Sequence, residues 1–170
     1  SFCNLVEVDM AKFIGDFDGL DEAVQLAARA NYRQTCVDLK DGVLSTSWHE
    51  LNEFLRLCGV GLTGIVKWMD QEKEVNKADA FRWLEITARI HANGMADELG
   101  LPRAKAVTTI KPSGTLGKVM DTTEGVHRPL GKYIFNNVRF TATDPLVDLL
   151  RAGGYTVFND PYAPTESVIV

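Results

Sequence analysis

Apolar side chains recur along the chain at two different spacings, which predicts helices that alternate with strands. Residues 21–33 show the spacing of a helix, although the polar Asn31 takes the next position on the apolar face. Helices placed between strands predict an α/β fold with a largely parallel sheet that is buried on both faces. Strands are expected where β-branched or alternating residues occur, at 106–110, 132–140, 155–158 and 167–170.

Further helices are predicted from their end signals. Ser47–Glu50 fits a capping box, so a helix is expected to begin there and to end in the left-handed conformation at Gly59. Thr143 is expected to cap a later helix that Gly153 and Gly154 end. The longest helix should span 76–99 and be buried on more than one side, because it carries two apolar stripes. These stripes are Phe81, Leu84, Ala88 and Met95, and beside them Trp83, Ile86 and Ile90.

The composition is that of a globular protein and excludes several classes. The 170 residues are 45% hydrophobic and 24% charged, which excludes a disordered tail and a fibrous repeat. No apolar run reaches about 18 residues, so no membrane span is expected. The net charge of −5 argues against direct nucleic-acid binding, although backbone amides can still hold a phosphate locally. Acidic side chains such as Glu72 are expected at the surface, and Trp48, Trp68 and Trp83 in packing.

The cysteines Cys3, Cys36 and Cys58 form no C-x-x-C motif and are too few for a disulfide framework. Small core thiols in a reducing cytoplasm are therefore expected, and a redox role for Cys3 is the alternative. The three histidines lie far apart, so no metal site is predicted. The chain begins without Met and ends within a predicted strand, which favours a piece of a longer protein. Because its first residues contain neither an initiator Met nor a basic segment, no signal peptide is expected.

The segment Gly59–Gly64 has the formal spacing of a G-x-G-x-x-G motif. A dinucleotide-binding fingerprint requires a strand before the first glycine, whereas here a capped helix is predicted. We therefore interpret these glycines as a helix end, followed by a segment that lets a neighbour approach closely.

The turn after the predicted strand at 106–110 is the second candidate site. Pro112 fixes its own φ and Gly114 permits a positive φ, so successive amides can converge on an anion. Ser113 and Thr115 add hydroxyl groups, and a helix that begins after Thr115 would add its dipole. The alternative is an ordinary turn with a helix cap, and these residues alone do not decide between the two. The spacing of a Walker A loop is absent.

Seven segments of the chain occur in the order of one protein family: FCNLVEV at 2–8, RQTCV at 33–37, LRLCGVG at 55–61, TTIKPSGT at 108–115, EGVH at 124–127, VRF at 138–140 and TDPL at 143–146. Together, these segments resemble the ribonucleotide reductase large subunit, most of all the adenosylcobalamin-dependent class II ribonucleoside-triphosphate reductases. The resemblance covers essentially the whole chain and implies the C-terminal portion of a ten-stranded α/β barrel. On that basis residues 1–170 are one partial domain, and the segment with the radical cysteine of the finger loop is missing.

The resemblance also implies roles for individual residues. Cys3 resembles one of the paired cysteines that are oxidised to a disulfide while the ribose is reduced. Residues 117–121 depart from the family pattern. This departure leaves open whether a helix begins directly after the loop. Cys36 and Cys58 match family positions without a redox role and are expected in the core. The substrate phosphate-binding loop is implied to comprise Pro112, Ser113, Gly114, Thr115 and Leu116.

The implied partners are a ribonucleotide, a thioredoxin-type reductant and the remainder of the reductase chain, with adenosylcobalamin as cofactor of the parent enzyme. The fragment alone is expected to be inactive. Two other functions remain open: a stand-alone nucleotide- or phosphate-binding module without catalysis, and a structural remnant that binds nothing. The residues do not distinguish a diphosphate from a triphosphate substrate.

Overall fold

The computed structural model of the protein describes residues 2–40 and 42–170, which form two compact units. The first unit ends at Pro129 and the second spans Leu130–Val170. The first contains β1 (Asn4–Asp9), a 3-10 helix (Met10–Phe13), α1 (Phe17–Gln34), α2 (Thr46–Leu55), β2 (Cys58–Thr63), α3 (Ile65–Gln71), α4 (Lys77–Leu99) and α5 (Thr115–Val119). The second contains β3 (Arg139–Thr141), α6 (Pro145–Ala152), β4 (Phe158–Asn159) and β5 (Ser167–Ile169).

The sheet of the first unit is parallel. Strand β1 pairs with β2 in a register that runs from Asn4 opposite Cys58 to Asp9 opposite Thr63. The extended segment 106–109 lies along the other side of β2, because the Cys58 amide donates to the carbonyl of Ala106 at 3.0 Å. The segment runs parallel to β2, and Val107 is buried, whereas Ile110 is 78% exposed, so the prediction of a buried strand at 106–110 is confirmed only in part. A full strand is not confirmed, since only Thr108 forms a ladder bridge, with Val60.

Helices cover one face of this sheet. Residues alternate between the two faces of a strand, so Val6 and Val8 of β1 lie with Val60 of β2 on the face toward the helices. Helices α1 and α4 pack together over that face, and the predicted helix at 21–33 is confirmed as the centre of α1. The buried core on this side includes Met10, Leu20, Val24, Ala28, Val60, Trp68, Leu84, Ala88 and Val107.

Asn31, which interrupts the apolar stripe of α1, is fully buried. Its side-chain amide donates to the Asn4 carbonyl at 2.8 Å, and its Oδ1 accepts from the Gly59 amide at 2.7 Å. A buried amide side chain is stable only when its donors and acceptors are paired, and both strands supply partners here. Asn31 therefore fastens α1 to the amino-terminal ends of β1 and β2.

The predicted boundaries of α2 are wrong at both ends. The helix is capped by Ser45, which places Ser47 inside it, and no side-chain capping bond forms. Its left-handed C-terminal residue is Arg56, at φ 45°, and not Gly59, which lies in β2. The guanidinium of Arg56 donates to the Thr35 carbonyl at 2.8 Å. This buried contact stabilises a helix end at Arg56 in place of the expected end at Gly59.

The longest helix is confirmed, with Asn76 as its N-cap and Gly100 in the left-handed conformation at its C-cap. The prediction that both apolar stripes are buried is wrong. Leu84 and its neighbours on the first stripe face the core, whereas the second stripe is exposed because α1 covers only one side of α4. Trp83, Ile86 and Ile90 retain 54%, 41% and 59% of their accessible surface.

Glu72 was expected at the surface, and that prediction is wrong, because only 2% of the residue is exposed. Its carboxylate accepts from the Gly15 amide at 2.8 Å and from the Glu74 amide at 2.7 Å. The Gly15 amide is the largest cause of a lowered pKa for this carboxyl, since hydrogen bonds to the charged form favour it. Of the tryptophans, Trp68 is buried as expected, while Trp48 is partly exposed.

The second unit has an antiparallel sheet in the order β3-β5-β4, so the prediction of a largely parallel sheet is wrong here. The strand predicted at 132–140 is reduced to β3. Asp144, and not Thr143, caps α6, because its carboxylate accepts from the Leu146 amide at 2.9 Å. The buried carboxylate of Asp160 binds the Ser167 hydroxyl at 2.9 Å, which holds the turn between β4 and β5.

Candidate functional site

The turn after the 106–109 segment has two consecutive residues with positive φ. Gly114 lies at φ 49°, as predicted, and Ser113 lies at φ 61°, a conformation that few residues other than glycine adopt. The Gly114 amide donates to the Pro112 carbonyl at 2.7 Å, and the Leu116 amide donates to the Ser113 carbonyl at 3.0 Å. Helix α5 begins at Thr115, so a helix does follow the turn, a point that the departure at 117–121 left open.

Ser113 anchors this turn to both strands. Its hydroxyl donates to Oε1 of Glu7 at 2.7 Å and lies 2.9 Å from the hydroxyl of Thr63. The same oxygen accepts from the Gly125 amide at 3.1 Å. Ser113 is 8% exposed, whereas the other loop residues, Pro112, Gly114, Thr115 and Leu116, are exposed. The Ser113 hydroxyl is thus engaged within the protein, and the exposed face of the loop consists of its neighbours.

Glu7 and Lys111 form an ion pair beneath the loop. The Lys111 ammonium lies 3.6 Å from Oε1 of Glu7, whose side chain is only 1% exposed. The other carboxylate oxygen, Oε2, is buried and accepts no hydrogen bond from the residues that the structure describes. Sequence reasoning missed Glu7 and Thr63 as site residues. A charged residue between the apolar Val6 and Val8 of a strand is the signal that was available for Glu7.

Gly61 makes this ion pair possible. It is the register partner of Glu7, and a Cβ atom on Gly61 would lie 3.2 Å from Cγ of Lys111. The stem of Lys111 therefore crosses β2 where no side chain blocks it. This confirms the interpretation that these glycines allow close approach. The segment Gly59–Thr63 lies within β2 itself, so its glycines do not form the turn of a dinucleotide-binding fingerprint.

Cys3 precedes β1 and is exposed. A Cβ atom on Gly59 would lie 3.2 Å from Sγ of Cys3 and 2.5 Å from Cδ2 of Leu5, so both side chains lie over Gly59. Alternation then puts Cys3, Leu5 and Glu7 on the sheet face opposite the helices. At about 3.3 Å per residue, Cys3 lies about 13 Å along the strand from Glu7. The thiol and the Ser113 loop thus occupy opposite ends of one sheet face.

The other two cysteines differ in environment. Cys58 is 1% exposed, and burial is the main cause that raises the pKa of its thiol to about 12, so it stays protonated. The expectation of a core thiol is therefore confirmed for Cys58 and wrong for Cys36, which is exposed because it lies just after the end of α1. Within 2–40 and 42–170, no three His, Cys, Asp or Glu side chains are grouped so that they could hold a metal ion. No helix in those ranges has the length and apolar character needed to cross a membrane.

The chain is similar to bacterial ribonucleotide reductases in sequence. It is 31% identical to the adenosylcobalamin-dependent ribonucleoside-triphosphate reductase of Lactobacillus helveticus over an alignment of 187 residues, which covers 94% of this chain and 24% of the relative. The reductase of the same name from Lactobacillus gasseri is 30% identical and covers 95% of this chain and 25% of the relative. The chain therefore spans about a quarter of the length of these curated relatives. No family model matches it.

A solved structure agrees with the sequence comparison. The crystal structure of a B12-dependent, class II ribonucleotide reductase superposes with a TM-score of 0.70 at 27% identity, over 98% of this chain and 26% of that chain. The fold and the sequence together identify this chain as a member of the ribonucleotide reductase family. Within that family it is a homologue of part of the adenosylcobalamin-dependent ribonucleoside-triphosphate reductases.

Proposed function

We propose that the chain is part of the catalytic barrel of a class II ribonucleotide reductase, which converts ribonucleoside triphosphates to 2′-deoxyribonucleotides by thiyl-radical chemistry. It would supply the substrate phosphate loop, residues 112–116, and the redox-active Cys3. The observation that carries the proposal is the common sheet face on which both lie, in a chain homologous to these enzymes.

The loop has the features that favour an anion. The amides of Gly114 and Leu116 are hydrogen-bonded within the loop, which leaves the Thr115 amide between them to bind an anion. Thr115 is exposed, and no described residue accepts from its hydroxyl or its amide. Lys111 adds a positive charge that Glu7 holds in place. The buried Ser113 would act as the anchor of the loop, and the exposed residues would meet the phosphates.

The proposed redox step needs two thiols. Cys3 and a second cysteine, outside this chain, would each give up one hydrogen and form a disulfide. The two electrons pass to the substrate, the 2′-hydroxyl leaves as water, and a hydrogen takes its place. The disulfide is then returned to two thiols by exchange with a thioredoxin-type dithiol. The exposure of Cys3 supports this role, because exchange requires that a second sulfur can reach it.

The remaining requirements lie in the parent enzyme. Adenosylcobalamin, when bound, supplies the radical that starts the reaction, and we assign none of its contacts to residues of this chain. We further propose that residues 1–170 form one partial domain of the ten-stranded barrel and act in the cytoplasm. The chain would be inactive until the remainder of the reductase completes the site.

The test is turnover of the complete reductase chain that carries Cys3→Ser. We expect loss of multiple turnover with dithiol reductants, while the initial radical still forms, because only the electron donor is removed. Cys36→Ser is the matched control, since Cys36 is also exposed, and it should turn over normally. Full turnover by Cys3→Ser would reject the redox role. Nucleotide binding by a wild-type protein that shows no turnover would instead favour the alternative of a noncatalytic nucleotide-binding module.

A further inference from the structure

We infer that Glu7 is the positioning residue of the phosphate loop: its carboxylate holds Ser113 in the left-handed conformation that presents the loop to a nucleotide. The inference rests on the proposed function of residues 112–116. It adds a residue on a different element, 106 positions away from Ser113. Glu7 does not itself belong to the exposed surface of the loop, since its side chain is 1% exposed.

The first support is the cost of the Ser113 conformation. A residue with a Cβ atom at φ 61° is strained relative to glycine, and such strain persists only where surrounding contacts impose it. Ser113 has three such contacts at its hydroxyl, with Glu7, Thr63 and Gly125. Only Glu7 carries a charge, and hydrogen bonds to charged groups are the strongest of the three kinds.

The second support is the isolation of the Glu7 carboxylate. It is buried next to a single cation, Lys111, at 3.6 Å, and its Oε1 is the oxygen that both Lys111 and Ser113 approach. Burying a carboxylate is unfavourable unless it is paired and hydrogen-bonded. Lys111 and Ser113, which pair with the carboxylate, lie on either side of Pro112, the first residue of the loop. The position of the carboxylate therefore determines where the loop begins.

The third support is the absence of a competing side chain on β2. Gly61 is the register partner of Glu7, so the space between Glu7 and the loop is open to Lys111 and Ser113. Gly125 approaches from the other side, where a Cβ atom would lie 2.6 Å from the Lys111 carbonyl. The two glycines thus let Lys111 reach the carboxylate across β2 and let the Gly125 amide reach the Ser113 hydroxyl at 3.1 Å.

The test compares Glu7→Gln with Glu7→Met in the complete reductase chain, as in the test of Cys3. Both substitutions keep the length of the side chain, but only Gln keeps an oxygen that Ser113 can donate to. We expect Glu7→Met to weaken the binding of CTP and of inorganic tripolyphosphate about tenfold, and Glu7→Gln to weaken it about threefold, because Gln keeps the acceptor oxygen but loses the charge. Glu22→Gln, on the exposed face of α1, is the control for loss of an acidic side chain.

A double-mutant cycle separates positioning from stability. Ser113→Ala should weaken binding about as much as Glu7→Met, and the double variant should lose no more than either single variant. Urea unfolding measures the stability of each variant. If Glu7→Met does not fold, the weakened binding expected of Ser113→Ala tests the same inference. Additive losses, or equal losses for Gln and Met, would overturn the inference.

Hydrogen exchange of the peptide that covers 112–116 distinguishes this inference from the proposed function. The amides of Gly114 and Leu116 are hydrogen-bonded within the loop, so their exchange reports its order. Exchange should rise in Glu7→Met and rise less in Glu7→Gln. If the wild-type chain binds neither probe, the proposed function fails, while this exchange pattern still supports Glu7 as the positioning residue. Unchanged exchange in Glu7→Met would reject it.

Discussion

Glu7 and Ser113 lie 106 residues apart and are joined by a hydrogen bond of 2.7 Å between hydroxyl and carboxylate. The bond connects the middle of β1 to the turn that follows the 106–109 segment. In a parallel sheet, the ends of neighbouring strands meet at the same edge, and side chains on one face can reach across. This contact joins segment 2–8, which contains Cys3, to segment 108–115, which contains most of the proposed phosphate loop.

Removing the Ser113 hydroxyl should destabilise the fold. Ser113→Ala leaves the Glu7 carboxylate and the Gly125 amide without their partner, and we expect a loss of about 1–3 kcal/mol in the free energy of unfolding. Ser113→Gly loses the same hydroxyl but relieves the positive φ, so it should be about 1 kcal/mol more stable than Ser113→Ala. Urea unfolding of both variants measures the difference. Equal stabilities would show that the φ of Ser113 carries no strain.

Thr115→Val should weaken nucleotide binding without affecting the fold. The substitution removes the exposed hydroxyl at the first residue of α5 and preserves the branched shape of the side chain. We expect affinity for CTP to fall about tenfold and the free energy of unfolding to change by less than about 0.5 kcal/mol. Equilibrium titration measures the affinity, with Thr156→Val as an exposed control outside the loop. An unchanged affinity would count against the loop assignment.

Two glycine substitutions should have opposite effects on stability. A Cβ atom on Gly61 meets Lys111 at 3.2 Å, so Gly61→Ala should displace the Lys111 stem and weaken its ion pair with Glu7. Gly94 lies inside α4 with nothing within 4 Å of its would-be Cβ, so Gly94→Ala should stabilise the fold by about 0.5–1 kcal/mol. Thermal unfolding of both variants checks the prediction. Stabilisation by Gly61→Ala would contradict the role given to this glycine.

Glu72 should contribute to stability at neutral pH but not in acid. Its pKa is lowered in the folded state, chiefly by the Gly15 amide, so its contribution is fully present above the unfolded pKa of about 4.3. The contribution is lost as the pH falls through the lower, folded pKa. Wild type should therefore exceed Glu72→Gln in stability at pH 7, and the gap should narrow below about pH 4. Urea unfolding across this range measures the gap. A gap that is independent of pH would contradict the prediction.

The exposed stripe on α4 should drive association of the isolated chain. Exposed apolar patches of this kind favour contacts with other surfaces. Ile86→Glu combined with Ile90→Lys replaces two members with a favourable i, i+4 pair, so the helix should persist while association decreases. Light scattering measures the association, and circular dichroism measures whether the helix persists. Leu84→Lys, on the buried face of the same helix, should instead unfold the chain.

Local signals in the sequence were sufficient for several elements. The period of apolar residues located α1, and Asn76 and Gly100 marked the ends of α4, because capping depends on residues close in the chain. Local signals failed where a distant partner decided the outcome. Arg56 took the left-handed position because the Thr35 carbonyl binds it, and Glu72 was buried because the Gly15 amide pairs it.

The sequence by itself determined the alternation of helices and strands, the turn at Pro112–Gly114 with the helix after it, and the resemblance to ribonucleotide reductases. Those features depend on side-chain type and spacing along the chain. Only the tertiary structure decided that Ser113 points inward, that Glu7 holds it, and that Cys3 shares their sheet face. Parallel pairing brings together residues that are far apart in sequence, and no local pattern encodes which side chain of one strand meets which turn of another.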